Sequence, residues 1–492
     1  MSAIGTVGVL QRWARTIFSL DLRSLGLFRI GLGLVVVADA VFRLMDVELF
    51  YADSGARPRE LIFKTFATRP LPSLYLLNGS VAFAAGLLAL TVASGAALAL
   101  GWRTRVAAVL AWALVLSVQS RNTAITTGAD GVLLLMCTFA LFLPVAGRFS
   151  LDVHRHPERV PNETVVLSAA TVGLVLQLGV IYVFNVINKT GESWRDGTAV
   201  LKTLHIDQHA TPLGALLLEH APWVSPPLTY GTLIVEGAVV LLLVPFARDR
   251  IRVVLIAAMW LLHAGLGATL YLGLFSPVCM VAWLAILPPL AWTRGPLQRI
   301  AHPPAGASSS SSSSSSKWPV FSVVAVACVV TLQLWVNVGH VIQRPLPGIA
   351  DGAAKILAVD QVWKMFASPS PHDGWFVIPG TLASGRTVDL FQAGAPVSEA
   401  KPRYVSHMYK TARWRKYMMG HSNEKGGSAG RKQYASWLCR TWNAAHDDDD
   451  RLLDLTMVFM LEKTRKSFKI PKPTKMELLK YTCSAKDERP RR

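Results

Sequence analysis

The sequence predicts an all-α polytopic membrane protein of about nine transmembrane helices with a small α+β C-terminal extramembrane domain. Three observations carry this. Only 16% of the 492 residues are charged, against about a quarter in soluble domains. Mean hydropathy is +0.37. Apolar runs of about 20 residues, the length that crosses a bilayer core of about 30 Å, recur along the first two thirds and stop near Pro345.

Residues 1–22 carry Arg12, Arg15 and Asp21 around short apolar patches. No apolar core with a small-residue cleavage site is visible there, so an interfacial helix is expected rather than a cleavable leader. The apolar runs place spans near 24–45, 77–101, 104–120, 131–147, 164–187, 226–247, 252–272, 274–292 and 318–340. Lys and Arg in the short loops favour an N-terminus inside, which puts the C-terminal domain outside. The membrane domain is expected over 1–343, with a flexible Ser-rich linker at 305–317 before the last helix. The extracytoplasmic domain is expected over 345–492. Within it Val362–Phe366 reads as an interfacial helix. Trp375–Ile378 and Thr387–Phe391 read as a β-hairpin, Arg431–Asn443 as a helix and Leu452–Leu461 as a strand.

The formal net charge is +19, with much of the excess after residue 400. No nucleic-acid motif accompanies it, and a solvated surface beside anionic headgroups accounts for it. Cys137, Cys279 and Cys328 lie in apolar runs and read as packing residues. Cys439 and Cys483 could form a disulfide if their region is extracytoplasmic. The His205 and His209 pair and the Asp447–Asp450 run lack the ligand sets of metal sites, so no metal is expected.

Ionisable groups inside spans mark the places where chemistry or packing demands a charge, because each costs a few kcal/mol there. Arg29, Asp39 and Arg43 lie in the first span, Glu236 in the sixth and His263 in the seventh. Arg29 and Glu236 need partners, and each other is one option; the other is a wet cavity. Lys189 ends the fifth apolar run. It is either a snorkelling anchor or a desolvated base, and Trp194 and Asp196 follow in the loop that would shape its pocket.

Taken together these stretches resemble a known family. They are Leu27-Phe28-Arg29-Ile30-Gly31, Asn122 to Asp130, Leu143-Pro144, Lys189 to Val200, His263, Leu274-Phe275-Ser276 and Trp363 to Pro369. The pattern looks like the horizontally transferred transmembrane (HTTM) domain family, related to vitamin K-dependent gamma-glutamyl carboxylase. The resemblance implies Lys189 as the base acting on a reduced, menaquinone-type vitamin K hydroquinone, and His263 as a second catalytic residue. It implies oxygenation or carboxylation chemistry, a peptide or protein substrate, and no nucleic acid. Two departures narrow it: Arg121-Asn122-Thr123 lacks the carboxylase's histidine, and the C-terminal part is much smaller. A non-catalytic membrane scaffold, or a lipid- or peptide-binding protein of the same fold, is the rival expectation. The Ala-, Leu- and Arg-rich style suggests a bacterial inner membrane.

Overall fold

The structure, a computed structural model, describes residues 3–66, 72–159, 161, 163–245, 248–294, 296–300, 319–370, 372–422, 428–463, 472–484 and 487. The expected linker at 305–317 lies outside the described residues.

Helix α1 (Ala3–Phe18) precedes a two-residue strand, β1 (Leu20–Asp21). Asp21 then caps α2 (Leu22–Leu44), its carboxylate accepting from the Arg23 N–H. Next come α3 (Val81–Leu100), α4 (Thr104–Arg121) and α5 (Gly128–Ala140). Strand β2 (Val165–Val166) pairs antiparallel with β1. The bundle continues with α6 (Ala169–Ile187), α7 (Ser225–Gly237), α8 (Arg248–Thr269), α9 (Phe275–Leu284) and α10 (Val320–Val341).

Among the described residues, six helical segments are long and apolar enough to cross a membrane: those at 22–44, 81–100, 169–187, 222–243, 248–269 and 320–341. Helix α5 is different. It is only 13 residues long, and every residue from Ala129 to Ala140 is buried. An apolar helix this short belongs to a core rather than to a lipid-facing wall. Helix α9, at 10 residues, is short for the same crossing. Around both packs the main apolar core, including Phe28, Leu32, Leu135, Leu174, Met259 and Trp283.

Helix α11 (Gly348–Ile356) follows the bundle, with Ile349 93% exposed. The expected interfacial helix at Val362–Phe366 is not formed. That segment is an irregular strap whose Trp363 is buried, because α10 offers it partners. The Trp363 N–H donates to Asn337 Oδ1 at 2.8 Å and its indole Nε1 to Gln333 Oε1 at 2.8 Å.

The C-terminal region is an antiparallel sheet with two helices. The strands are β3 (His372–Val377), β4 (Pro379–Leu382), β5 (Thr387–Asp389), β6 (Ala395–Pro396), β7 (Leu452–Lys463) and β8 (Thr474–Thr482). Strand β7 is central. One edge carries β8, and the other is shared end to end by β3 and β4. The hairpin is therefore β4–β5, not Trp375–Ile378 with Thr387–Phe391. Helices α12 (Ala412–Met419) and α13 (Ser428–Asn443) pack against it, and Cys439 is joined to Cys483. One apolar cluster runs from this sheet into the bundle, uniting Phe50, Tyr51, Tyr75 and Ile125 with Tyr417, Phe459 and Ile378.

Candidate functional site

The site is built on one face of α6. Tyr182, Asn185 and Lys189 follow at i, i+3 and i+7, which stacks them along a single stripe. Ser168 starts the helix with a reciprocal cap to Thr171. Lys189 sits just past its other end, its N–H bonded to the Val186 carbonyl at 2.9 Å.

Lys189 Nζ donates to Glu236 Oε2 at 2.5 Å, and its side chain is only 1% exposed. The Asn185 amide donates to both carboxylate oxygens of Glu236, at 3.0 and 2.9 Å. Glu236 lies one residue before α7 passes into a 3₁₀ segment, Ala238–Leu243, a change of winding that often marks a functional position. Above the ammonium stands Trp194, its ring centroid 5.1 Å from Nζ. The indole is held by the strap, donating to the carbonyls of Phe366 and Ala367 at 3.0 and 3.1 Å. Asn188 adds a bond to the Trp363 carbonyl at 3.0 Å. Burial draws the Lys189 ammonium below the usual lysine range, and Glu236 pulls against that shift.

One turn deeper, His263 Nε2 lies 2.8 Å from the Tyr182 hydroxyl, which also accepts from Trp283 Nε1 at 2.9 Å. Phe275 packs edge-on to the imidazole. Three buried polar atoms here have no partner among the described residues: His263 Nδ1, Ser276 Oγ and Asn185 Oδ1. Such orphans are uncommon in native interiors and point to an absent partner.

The structure thus brings Lys189, Glu236, Trp194 and His263 to one stripe of α6. It leaves two other candidates elsewhere. Asp196 is exposed and caps its own turn, accepting from the Thr198 N–H and hydroxyl. Arg29 does not meet Glu236. It is fully buried and donates to the carbonyls of Leu98, Ala99, Val145 and Phe149. Those of Leu98 and Ala99 lie in the last turn of α3, where Gly101 turns left-handed and regular helical partners run out. A guanidinium with five donors satisfies such a group without any carboxylate. Tyr182 and Asn185 carry no charge and were not singled out by sequence, whereas Ser276 entered only through the Leu274-Phe275-Ser276 motif. The signal for Tyr182 and Asn185 was spacing, seven and four residues before Lys189.

Along the flank of α6 next to that stripe runs an apolar cleft of about 200 Å³, lined by residues that include Val175, Gly179, Val183, Val239, Leu243 and Leu334. Among the described residues no group of three or more His, Cys, Asp or Glu gathers as a metal site.

Fold and site together define a multi-pass membrane protein with a buried charge pair and an imidazole arrayed along one helix. The family model of the HTTM domain matches residues 19–292, more than half of the chain, and this protein belongs to that family. The matched segment contains Lys189, Glu236, His263 and Ser276 but not α10, the strap or the sheet. No curated protein and no solved structure matches the chain.

Proposed function

We propose that this protein is a quinone-dependent membrane enzyme of the carboxylase-like kind, with Lys189 as the base and His263 as its second catalytic residue. Its cofactor would be a reduced vitamin K-type hydroquinone. In this reading α4, α5 and α9 complete nine crossings of a bacterial inner membrane, with the Lys189 end and the sheet outside. The observation that carries the reading is the buried Lys189–Glu236 pair on the same stripe of α6 as the Tyr182–His263 pair, with His263 Nδ1, Ser276 Oγ and Asn185 Oδ1 left unpartnered among the described residues. A structural ion pair needs no orphan neighbours; a site for a polar head group does.

The residues fit a hydroquinone in two respects. His263 Nδ1 and Ser276 Oγ are buried, unpartnered and able to bond ring hydroxyls. The cleft along α6 is apolar and suits an isoprenoid tail. When bound, the hydroquinone would supply the electrons that reduce O₂. The chain's part is proton handling. A lysine accepts a proton only after losing one, and the group within reach to take it is the Glu236 carboxylate at 2.5 Å. Sharing a single proton across the pair leaves a neutral amine in a dry pocket. Asn185 holds the carboxylate in place through both oxygens, and Trp194 with the strap excludes water. The Tyr182–His263 bond fixes the imidazole through Nε2 and leaves Nδ1 free to bond a ligand.

The enclosure of Lys189 favours a second reading, a non-catalytic scaffold in which the pair only pins α6 to α7. Incubation of the purified protein with reduced vitamin K, O₂, labelled bicarbonate and a Glu-containing peptide separates the two. Quinone epoxide formed by the wild type and lost in Lys189→Ala is the expected result, and fixed label would add peptide carboxylation. No product with any of several quinones, from folded protein, leaves the scaffold reading standing.

A further inference from the structure

A second buried polar cluster lies away from α6, where the loop after α2, the end of α4 and helix α12 meet. Arg121 closes α4 and is fully buried. Its Nη2 donates to the carbonyls of Arg57 and Tyr51 at 2.9 and 3.2 Å. Its Nε and Nη1 have no hydrogen-bond partner among the described residues, nor do Arg57 Nε, the Tyr417 hydroxyl and both ring nitrogens of the buried His421. These groups are neighbours. Arg57 lies within electrostatic range of Arg121, Tyr417 and His421. The rings of Tyr417 and His421 pack edge to face at 4.5 Å.

Charge is out of balance here. The acid near Arg121 is Asp53, and that carboxylate is already engaged by the N–H and guanidinium of Arg59, at 2.8 Å each. Arg121 is therefore a fully enclosed cation with idle donors and no carboxylate of its own. An uncompensated buried charge is among the costliest features a fold can carry. Arg57 is only partly buried, and the further cation beside His421, Arg431, bonds the Leu478 carbonyl at 3.2 Å, so one negative charge is the least that the enclosed Arg121 calls for.

We propose that this cluster is a binding site for a small monovalent oxyanion of the carboxylate type, with Arg121 as its floor and Arg57, Tyr417 and His421 as its walls. Idle donors around the enclosed Arg121 call for a carboxylate group, which accepts hydrogen bonds through two oxygens and carries one charge. An organic carboxylate and bicarbonate share that chemistry. The site joins the bundle to the sheet region, so occupancy stabilises their contact. It does not depend on the quinone reading, and its test needs no turnover.

The full chain in detergent is melted while sodium acetate, bicarbonate or phosphate replaces chloride at constant pH and ionic strength. A saturable rise in Tm with acetate or bicarbonate is expected, since a ligand of the folded state stabilises by mass action. A preference for acetate identifies a side-chain or terminal carboxylate as the source; a preference for bicarbonate identifies the dissolved ion. Arg57→Gln is expected to weaken the apparent affinity about tenfold, the loss of one charged hydrogen bond, and Arg121→Gln to abolish saturation. Should Arg121→Gln fail to fold, Arg57→Gln and Tyr417→Phe decide. Equal Tm in all four salts, a rise with phosphate alone, or a rise undiminished in Arg57→Gln and Tyr417→Phe would overturn the proposal.

Discussion

Two buried ionic clusters in this protein differ in how completely they are bonded. In the first, Arg43 donates to Asp39 at 2.7 Å, to Asp130 at 2.5 Å and to the Tyr51 hydroxyl at 2.6 Å. Arg413 reaches in from α12 to Asp39, to both oxygens of Asp130 and to the Ile125 carbonyl. Asp130 also caps α5 through the Thr127 N–H at 2.7 Å. Two arginines meet two aspartates. In the second, Lys189 and Glu236 share one short contact, and orphan atoms stand around them. A saturated network is a clamp, fixing α2, α5 and the sheet region in register. An unsaturated one keeps capacity for something else.

The largest expected effect breaks the clamp. Arg413→Ala leaves Asp39 and Asp130 with Arg43 alone and should cost about 3–5 kcal/mol, the usual loss on removing one partner of a buried pair. Denaturant unfolding in detergent reads it, and wild-type stability in that variant would dismantle the distinction. Next in size, removing both members of the other pair by Lys189→Met with Glu236→Leu should abolish epoxide formation while stability stays within about 1 kcal/mol or rises, because apolar replacements of a buried pair are often neutral. If this double variant unfolds as readily as Arg413→Ala, Lys189–Glu236 is a clamp too.

Tyr182→Phe removes the hydroxyl between His263 and Trp283. A loss of about 1–3 kcal/mol is expected from the unpaired groups left behind, with activity falling further than Tm does.

The smallest effect is a pH dependence in the sheet region. Asp373, at the start of β3, accepts from the Asp207 N–H at 2.5 Å. Burial, and then the Asp207 charge, push its carboxyl up to about 7 from 3.8. Its proton is thus held more tightly in the folded state. The contribution is fully present below pH 3.8 and is lost as pH rises through about 7. Protection factors of β3, which remove the intrinsic pH dependence of exchange, should fall across that window, and Asp373→Asn should flatten their profile.

What the sequence disclosed follows a physical line. Hydropathy over 20 residues is local, so six spanning helices, α13 and strand β7 could be read from it. Lys189, Glu236 and His263 were visible because charge at apolar depth is rare. Pairing across long separations was not. Trp375–Ile378 looked like half of a local hairpin, yet β3 pairs with β7, some 80 residues on. Trp363 looked interfacial because Gln333 and Asn337, which bind it, lie on α10. Arg29 looked in need of a carboxylate because carbonyls freed by a helix end leave no mark in a sequence.

The strap from Gln361 to Ala367 has a mechanical consequence. It connects α11 to β3, and its backbone also holds Trp194 over Lys189 through the carbonyls of Phe366 and Ala367. Any displacement of the strap would therefore reach the lysine's cover, 5.1 Å from the ammonium.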